Sequence, residues 1–259
     1  MSFWTNISSY IDQLKQRVAS CRMTQVDLTQ VDSWTSHENL VSEVFGNITA
    51  TWAESVLPNQ LNSALLGLIE TLPPIDLERR LTEPLDPNLL LGQHSRKIID
   101  SFLLSYTAYE LPIDSTVVID IQNWIVGTFQ DRINSPVTFI NSRAWITNGQ
   151  AKLGPFDWHT DGFKPGHLKV MIYPNGLSEI KGGLEIGDSL IMNRPPGASI
   201  LFRNSDVKHR AIPASGGRRL VVEITLQRSL IPQMQRYPSH FNGSHLKEIR
   251  KLYRNFEDL

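Results

Sequence analysis

The apolar pattern of this 259-residue chain changes period near residue 135. Upstream, apolar residues recur at three- and four-residue spacing over Phe3–Val18, the stretch after Ser36, Trp52–Leu72, Leu89–Leu111 and Thr116–Arg132. That spacing buries one face of a helix. Pro73-Pro74, Pro84 and Pro87 interrupt these segments, and a proline removes a helical hydrogen bond and clashes with the preceding turn, so several helices are expected rather than one rod. Downstream of Pro136 the segments become short, β-branched and alternating: Val137–Thr147, His167–Tyr173, Gly183–Ile186, Ala198–Phe202 and Leu220–Leu226. Turn-forming stretches such as YPNGLSEIKGG, NRPPGAS and PASGG separate them. The pattern predicts an α+β chain whose helical front half leads into a β-barrel or sandwich of about five to eight short strands. The expected division is a helical region over 1–135, a barrel core over 136–230 and a C-terminal segment over 231–259. The last carries a charged helix near Ser239–Phe256, and all three form a single structural unit.

Charge and cysteine content exclude several functions. With 25 Lys+Arg against 26 Asp+Glu the net charge is -1, so no broad basic field is available for a phosphate backbone and nucleic acid is not an expected partner. The single cysteine, Cys21, excludes an internal disulfide and any thiolate cluster; metal chemistry would have to use histidine and carboxylate, and a reducing cytoplasmic location fits. The first residues lack a basic start followed by an apolar run, and the longest apolar stretch, around Ala64–Ile69, is far shorter than a membrane span. A hydrolase is disfavoured because Gly197-Ala198-Ser199-Ile200-Leu201 fails the nucleophile-elbow pattern at its last position. No P-loop or dinucleotide-binding glycine motif is present either.

The chemistry concentrates in Trp158-His159-Thr160-Asp161-Gly162. Residues i and i+2 of an extended segment project to the same face, so His159 and Asp161 can present an imidazole nitrogen and a carboxylate oxygen to one point. A third ligand must come from elsewhere. His209 is the natural candidate, following the strand-like ASILF run. Two imidazoles and a carboxylate on one face of an octahedron leave three positions open, which suits Fe(II) binding a bidentate cosubstrate and then dioxygen; zinc accepts the same ligands. Zinc gives no reason for Arg218-Arg219, ten residues after His209 at the head of LVVEITL, where a guanidinium can clamp a carboxylate. Arg218 shares its face with Leu220, Val222, Ile224 and Leu226, an apolar set suited to packing under the helices. Arg219 shares its face with Val221, Glu223 and Thr225, a set suited to a barrel interior. Arg219 is therefore the expected clamp, with Arg218 taking the role if the register differs.

The order His159-x-Asp161, LKVMIYPN, Gly182-Gly183-Leu184-Glu185-Ile186, PPGASILFRN, His209 and Arg219 resembles the Fe(II)/2-oxoglutarate-dependent oxygenases. It is similar in layout to their prolyl-hydroxylase and phytanoyl-CoA-hydroxylase branches, and the resemblance covers about Val137–Leu226. It implies a double-stranded β-helix (jelly-roll) core with the helical N-terminal half packed on one face. It implies His159, Asp161 and His209 as iron ligands, Arg219 as partner of the distal carboxylate of 2-oxoglutarate, and Tyr173 as a hydrogen-bonding partner of the same carboxylate. The cofactor set is then Fe(II), 2-oxoglutarate as cosubstrate and O2. Relatives that halogenate carry a small residue at the carboxylate position; retention of Asp161 favours hydroxylation, desaturation or cyclisation of a C–H bond.

A small-molecule substrate, such as an amino acid or a secondary-metabolite intermediate, is expected. The face Phe139, Asn141, Arg143 and Trp145 of FINSRAWIT could line its pocket. Trp158 either walls the site or packs a strand end, and His167 is expected at an exposed strand start. The alternatives are a peptidyl or protein hydroxylase of the same superfamily, a cupin-like metal enzyme that uses no 2-oxoglutarate, and a non-catalytic scaffold. Phe3 and Trp4 at the chain end suit a homodimer contact as well as a core one.

Overall fold

The computed structural model describes residues 41–43, 45–48, 51–76, 106–112, 114–148, 156–161, 167–204 and 206–228. The predicted helices over Phe3–Val18 and Ser239–Phe256, and the Phe3–Trp4 contact, lie outside these residues. Nine strands are described: β1 (Trp52–Val56), β2 (Tyr106–Glu110), β3 (Val137–Asn148), β4 (His167–Tyr173), β5 (Gly183–Ile186), β6 (Ser189–Ile191), β7 (Ala198–Phe202), β8 (His209–Ile212) and β9 (Arg218–Arg228). Two helices accompany them, α1 (Asn59–Thr71) and α2 (Thr116–Ile133). A six-stranded antiparallel sheet runs β1-β7-β4-β9-β3-β2, and a three-stranded sheet runs β6-β5-β8. An isolated bridge between His159 and His209 extends the smaller sheet beyond β8. Two facing sheets in this order make a jelly roll.

Strand alternation divides the apolar residues into two layers. Leu168, Val170 and Ile172 of β4 and Leu220, Val222, Ile224 and Leu226 of β9 cluster with Leu65 and Ile69 of α1 and Val118, Ile121, Ile125, Phe129 and Ile133 of α2. The opposite face places Met171, Tyr173, Ile200, Phe202 and Val221 against Leu184, Ile186, Ile191 and Ala211 of the small sheet. The helices therefore cover the outer face of the large sheet, while the second cluster fills the space between the sheets. Both helices have clear stops. The residue after α1, Leu72, turns extended ahead of Pro73-Pro74, and α2 closes on Asn134 in the left-handed region (φ 47°), whose N–H reaches the Gln130 carbonyl at 2.8 Å.

The upstream segments depart from the expected helical pattern in two places. Trp52–Val56 and Tyr106–Glu110 are strands, pairing with β7 and β3 at the two edges of the large sheet. Within Trp52–Leu72, Pro58 separates β1 from α1. Within Leu89–Leu111, the tail Tyr106–Glu110 alternates buried Tyr106 and Ala108 with less buried neighbours, and this period-2 pattern fits a sheet edge. Of the helical half, Thr116–Arg132, the latter part of Trp52–Leu72 and, in the stretch after Ser36, residues 41–43 and 45 are helical among the described residues.

In the barrel, β4, β5 and β7 occupy the predicted ranges, and β3 and β9 run slightly longer. One detail of β3 differs. A register shift between Phe139 and Asn141 puts Phe139 in the helix-facing cluster rather than beside Asn141, because the extra residue of a bulge reverses the alternation.

Candidate metal centre

His159, between β3 and β4, and His209, at the start of β8, are joined through their backbones. His159 N–H donates to the His209 carbonyl at 3.1 Å, and His209 N–H returns the bond at 2.9 Å. Their rings lie 4.4 Å apart between centroids, with Phe202 edge-on against His209 at 4.8 Å. Asp161, two residues past His159, donates its N–H to the Asn204 carbonyl at 2.9 Å and turns its carboxylate toward the same point. One donor atom from each of His159, Asp161 and His209 lies within 4.8 Å of the other two.

The histidine tautomers follow from the hydrogen bonds. His159 Nδ1 lies 2.7 Å from the Asp157 carbonyl and His209 Nδ1 lies 3.0 Å from the Val207 carbonyl. A carbonyl only accepts, so each Nδ1 carries a hydrogen and Nε2 is the ring nitrogen turned to the centre, 3.6 and 3.8 Å from Asp161 oxygens. Burial holds His209 down to about 4, against the pull of Asp161. The imidazole is a neutral ligand at physiological pH.

Asp161 is buried beside Lys169 of β4, which forms an ion pair with its Oδ2. Burial by itself would raise the Asp161 carboxyl, but Lys169, His209 and His159 together hold it well below the usual carboxylate range. Asn204 Nδ2 donates to the same Oδ2 at 3.0 Å. Lys169 also lies 3.6 Å from Glu223 Oε1, which accepts from Arg143 Nη2 at 2.6 Å. Burial would discharge Lys169, yet the two carboxylates keep it protonated, its titration raised. A buried chain of alternating charge thus runs Asp161, Lys169, Glu223, Arg143 along the inner face of the large sheet.

The two arginines lie on opposite faces of β9, as strand parity predicts. Arg218 is exposed, whereas Arg219 is 3% exposed and donates from Nη2 to the Tyr173 hydroxyl at 3.3 Å, with its Cζ 5.3 Å over the Tyr173 ring. Tyr173 is fully buried at the end of β4; burial pushes its phenol up, against the pull of Arg219. Arg219 Nε and the hydroxyl of Thr147, its cross-strand partner, are buried with no hydrogen-bond partner among the described residues. Gly182 sits against this arginine. Its backbone adopts φ +83°, and a Cβ there would fall 2.6 Å from the Ile212 carbonyl oxygen and 3.0 Å from Arg219 Cδ, so only glycine fits.

Other expected site residues lie elsewhere. Trp158 is exposed and stacks under Arg210, whose Cζ is 4.9 Å from the ring, rather than facing the centre. His167 is buried opposite Gln227, not at an exposed strand start. Arg143 is committed to Glu223. Sequence reasoning missed Lys169, Asn204, Thr147 and Tyr106. Tyr106 is buried between Trp145 and Phe156 and feels the Arg219 charge, although burial dominates and raises its phenol. Parity places Lys169 two residues from His167 on the inward side of β4, and that was the available signal for it.

No family model matches the sequence, and no curated protein matches it. Among solved structures, the non-haem α-ketoglutarate-dependent epimerase SnoN from nogalamycin biosynthesis superposes with a TM-score of 0.50 at 10% identity, covering 69% of this chain and 78% of that one. HygX from Streptomyces hygroscopicus, solved with nickel and 2-oxoglutarate bound, gives a TM-score of 0.45 at 12% identity over 70% of this chain and 84% of its own. A prolyl-4-hydroxylase from Pseudomonas putida gives 0.42 at 15% identity, over 74% and 98%. The likeness to SnoN is one of fold: the two structures share the jelly-roll barrel.

Proposed function

We propose that this protein is a non-haem iron, 2-oxoglutarate-dependent oxygenase that oxidises an unactivated C–H bond of a small molecule. The observation that carries this reading is the pairing of two sites across one barrel. At one, two imidazole nitrogens and a carboxylate converge within 4.8 Å. At the other, Arg219 is buried with its Nε unpartnered among the described residues. A zinc site would account for the first and leave the second unexplained.

The chain's own groups fit both components. His159, Asp161 and His209 would hold Fe(II), two nitrogen donors and one oxygen donor being the ligand set that leaves positions open for a chelating cosubstrate. Arg219, Thr147 and Tyr173 gather hydrogen-bond donors at the start of β9, and an anionic carboxylate is the partner that accepts from all of them. Iron(II), 2-oxoglutarate and dioxygen together supply the oxidising power for C–H cleavage. The protein's contribution is placement: the inner cluster of Met171, Ile200, Phe202 and Val221 keeps water from the reacting centre, and the chain orients the bond to be broken.

A small substrate is supported by the inner wall beside the metal ligands. By register, Asn141, Thr225 and Lys169 form one row across β3, β9 and β4, with Gln227 beyond it. Asn141 Oδ1, Thr225 Oγ1 and both amide atoms of Gln227 are buried without partners among the described residues. Since Asp161 and Glu223 already neutralise Lys169 and Arg143, this wall offers neutral donors and acceptors, suited to hydroxyl or amide groups rather than to a carboxylate.

Anaerobic titration with Fe(II) and 2-oxoglutarate tests the reading. The wild type is expected to develop the weak visible charge-transfer band of the chelate, and His209→Ala to lose it. Iron binding without a band would remove 2-oxoglutarate from the account and favour the cupin-like reading; no iron binding would favour a scaffold.

A further inference from the structure

We propose that Lys169 is a positioning residue for the metal carboxylate: together with Asn204 it occupies Asp161 Oδ2 and restricts the carboxylate to binding metal through Oδ1 alone. The inference rests on the oxygenase reading above and adds a residue to it.

The geometry is specific to the two oxygens. Oδ2 receives the Lys169 ammonium and the Asn204 amide, the latter at 3.0 Å. Two donors use the two in-plane lone pairs of a carboxylate oxygen. Oδ1 lies 3.6 Å from His159 Nε2, and His209 Nε2 lies 3.8 Å from Oδ2. The carboxylate therefore enters the centre with one oxygen committed and one available.

Lys169 is itself fixed. It projects from the inner face of β4, is buried, and lies 3.6 Å from Glu223, which Arg143 holds from the other side. A flexible lysine thereby becomes a rigid donor, and the long stem that would otherwise cost side-chain entropy is packed within the barrel. The consequence is one of coordination count. A carboxylate binding through both oxygens would fill a position that a chelating 2-oxo acid needs. With Oδ2 held back, His159, Asp161 and His209 supply three donor atoms and no more. A salt bridge of purely structural value would not discriminate between the two oxygens, and this difference makes the proposal testable.

The experiment uses the full chain loaded with Co(II), whose visible spectrum reports coordination, and 2-oxoglutarate as titrant. In Lys169→Met, Co(II) is expected to bind, its visible band to change in position and intensity, and 2-oxoglutarate affinity for the metal-loaded protein to fall at least tenfold. A folded Lys169→Met with the wild-type spectrum and wild-type 2-oxoglutarate affinity would overturn the proposal. Should that variant not fold, the wild type decides. In 15N-labelled protein the Lys169 ammonium, the buried lysine among the described residues, is expected to give a slowly exchanging signal that persists when Zn(II) is added. Loss of that signal on Zn(II) loading would show that Lys169 leaves Asp161 and overturns the proposal. Failure of wild-type Co(II) protein to bind 2-oxoglutarate is a different outcome: it defeats the oxygenase reading, and this inference with it.

Discussion

Arg218 and Arg219 are neighbours of identical chemistry, and the pleat of β9 alone separates them. One points to solvent; the other lies under Tyr173 and Gly182 with its guanidinium aimed into the barrel. Substituting Arg219 by Gln is expected to weaken 2-oxoglutarate binding by roughly 10- to 100-fold, the equivalent of a charge-assisted hydrogen-bond pair worth about 1.5–3 kcal/mol. Arg218→Ala is expected to stay within about 0.5 kcal/mol, as exposed substitutions do. Calorimetric titration of the two metal-loaded variants checks the contrast, and equal losses would undo the assignment of Arg219 as the clamp. The contrast was legible in the sequence because period-2 alternation is a local property. Asn204 was not legible: its role depends on the turn after β7, where its carbonyl and amide meet Asp161, and no local pattern records that approach.

At the level of elements, β9 carries the charged half of the inner wall, with Glu223 as its pivot. Burial would raise the Glu223 carboxyl, but Arg143 and then Lys169 outweigh burial and the repulsion of Asp161, holding it down to about 2 from 4.5. A carboxylate whose titration is depressed on folding stabilises the native state fully above its unfolded value. That contribution is lost as pH falls from about 4.5 toward about 2. Urea unfolding followed across this range is expected to show falling wild-type stability, with a shallower fall in Glu223→Gln. At neutral pH the same variant is expected to be less stable by about 3–5 kcal/mol, the cost of leaving buried cations without their partner. An unchanged acid profile would mean that Glu223 does not carry this charge in the native state. The strands β1 and β2 belong to the same scale. Their sequences sit within longer segments of helical spacing, and they become strands because β7 and β3 offer unpaired edges. Pairing across a sheet overrides a short local preference.

In the whole molecule, the large sheet keeps two faces apart. Its outer face rests on α1 and α2, and its inner face holds the candidate centre. Ile125, fully buried in the outer layer, is expected to cost about 2–5 kcal/mol when replaced by Ala, the range for truncation of a buried aliphatic side chain. Metal affinity is expected to stay at the wild-type value, because sites on opposite faces with no shared partner behave independently. Thermal denaturation paired with Co(II) titration of Ile125→Ala checks both halves, and a matching loss of metal affinity would show that the layers are coupled. Among the described residues, no helix is long and apolar enough to cross a membrane.

The sequence by itself determined the strands β3, β4, β5, β7 and β9, the opposite faces of Arg218 and Arg219, and the spacing of His159, Asp161, His209 and Arg219. These follow from alternation, turn residues and chain order, which are properties of neighbouring positions. Tertiary structure alone decided the edge strands β1 and β2, the bulge that turns Phe139 to the helices, and the joining of His159 to His209 by two backbone hydrogen bonds. It also decided the charge chain from Asp161 through Lys169 and Glu223 to Arg143. Lys169 carries no local mark of burial, and Arg143 reads as a pocket-lining cation rather than as one end of an internal ion pair. They stay charged inside the barrel because Asp161 and Glu223, 8 and 80 residues away in sequence respectively, are folded against them.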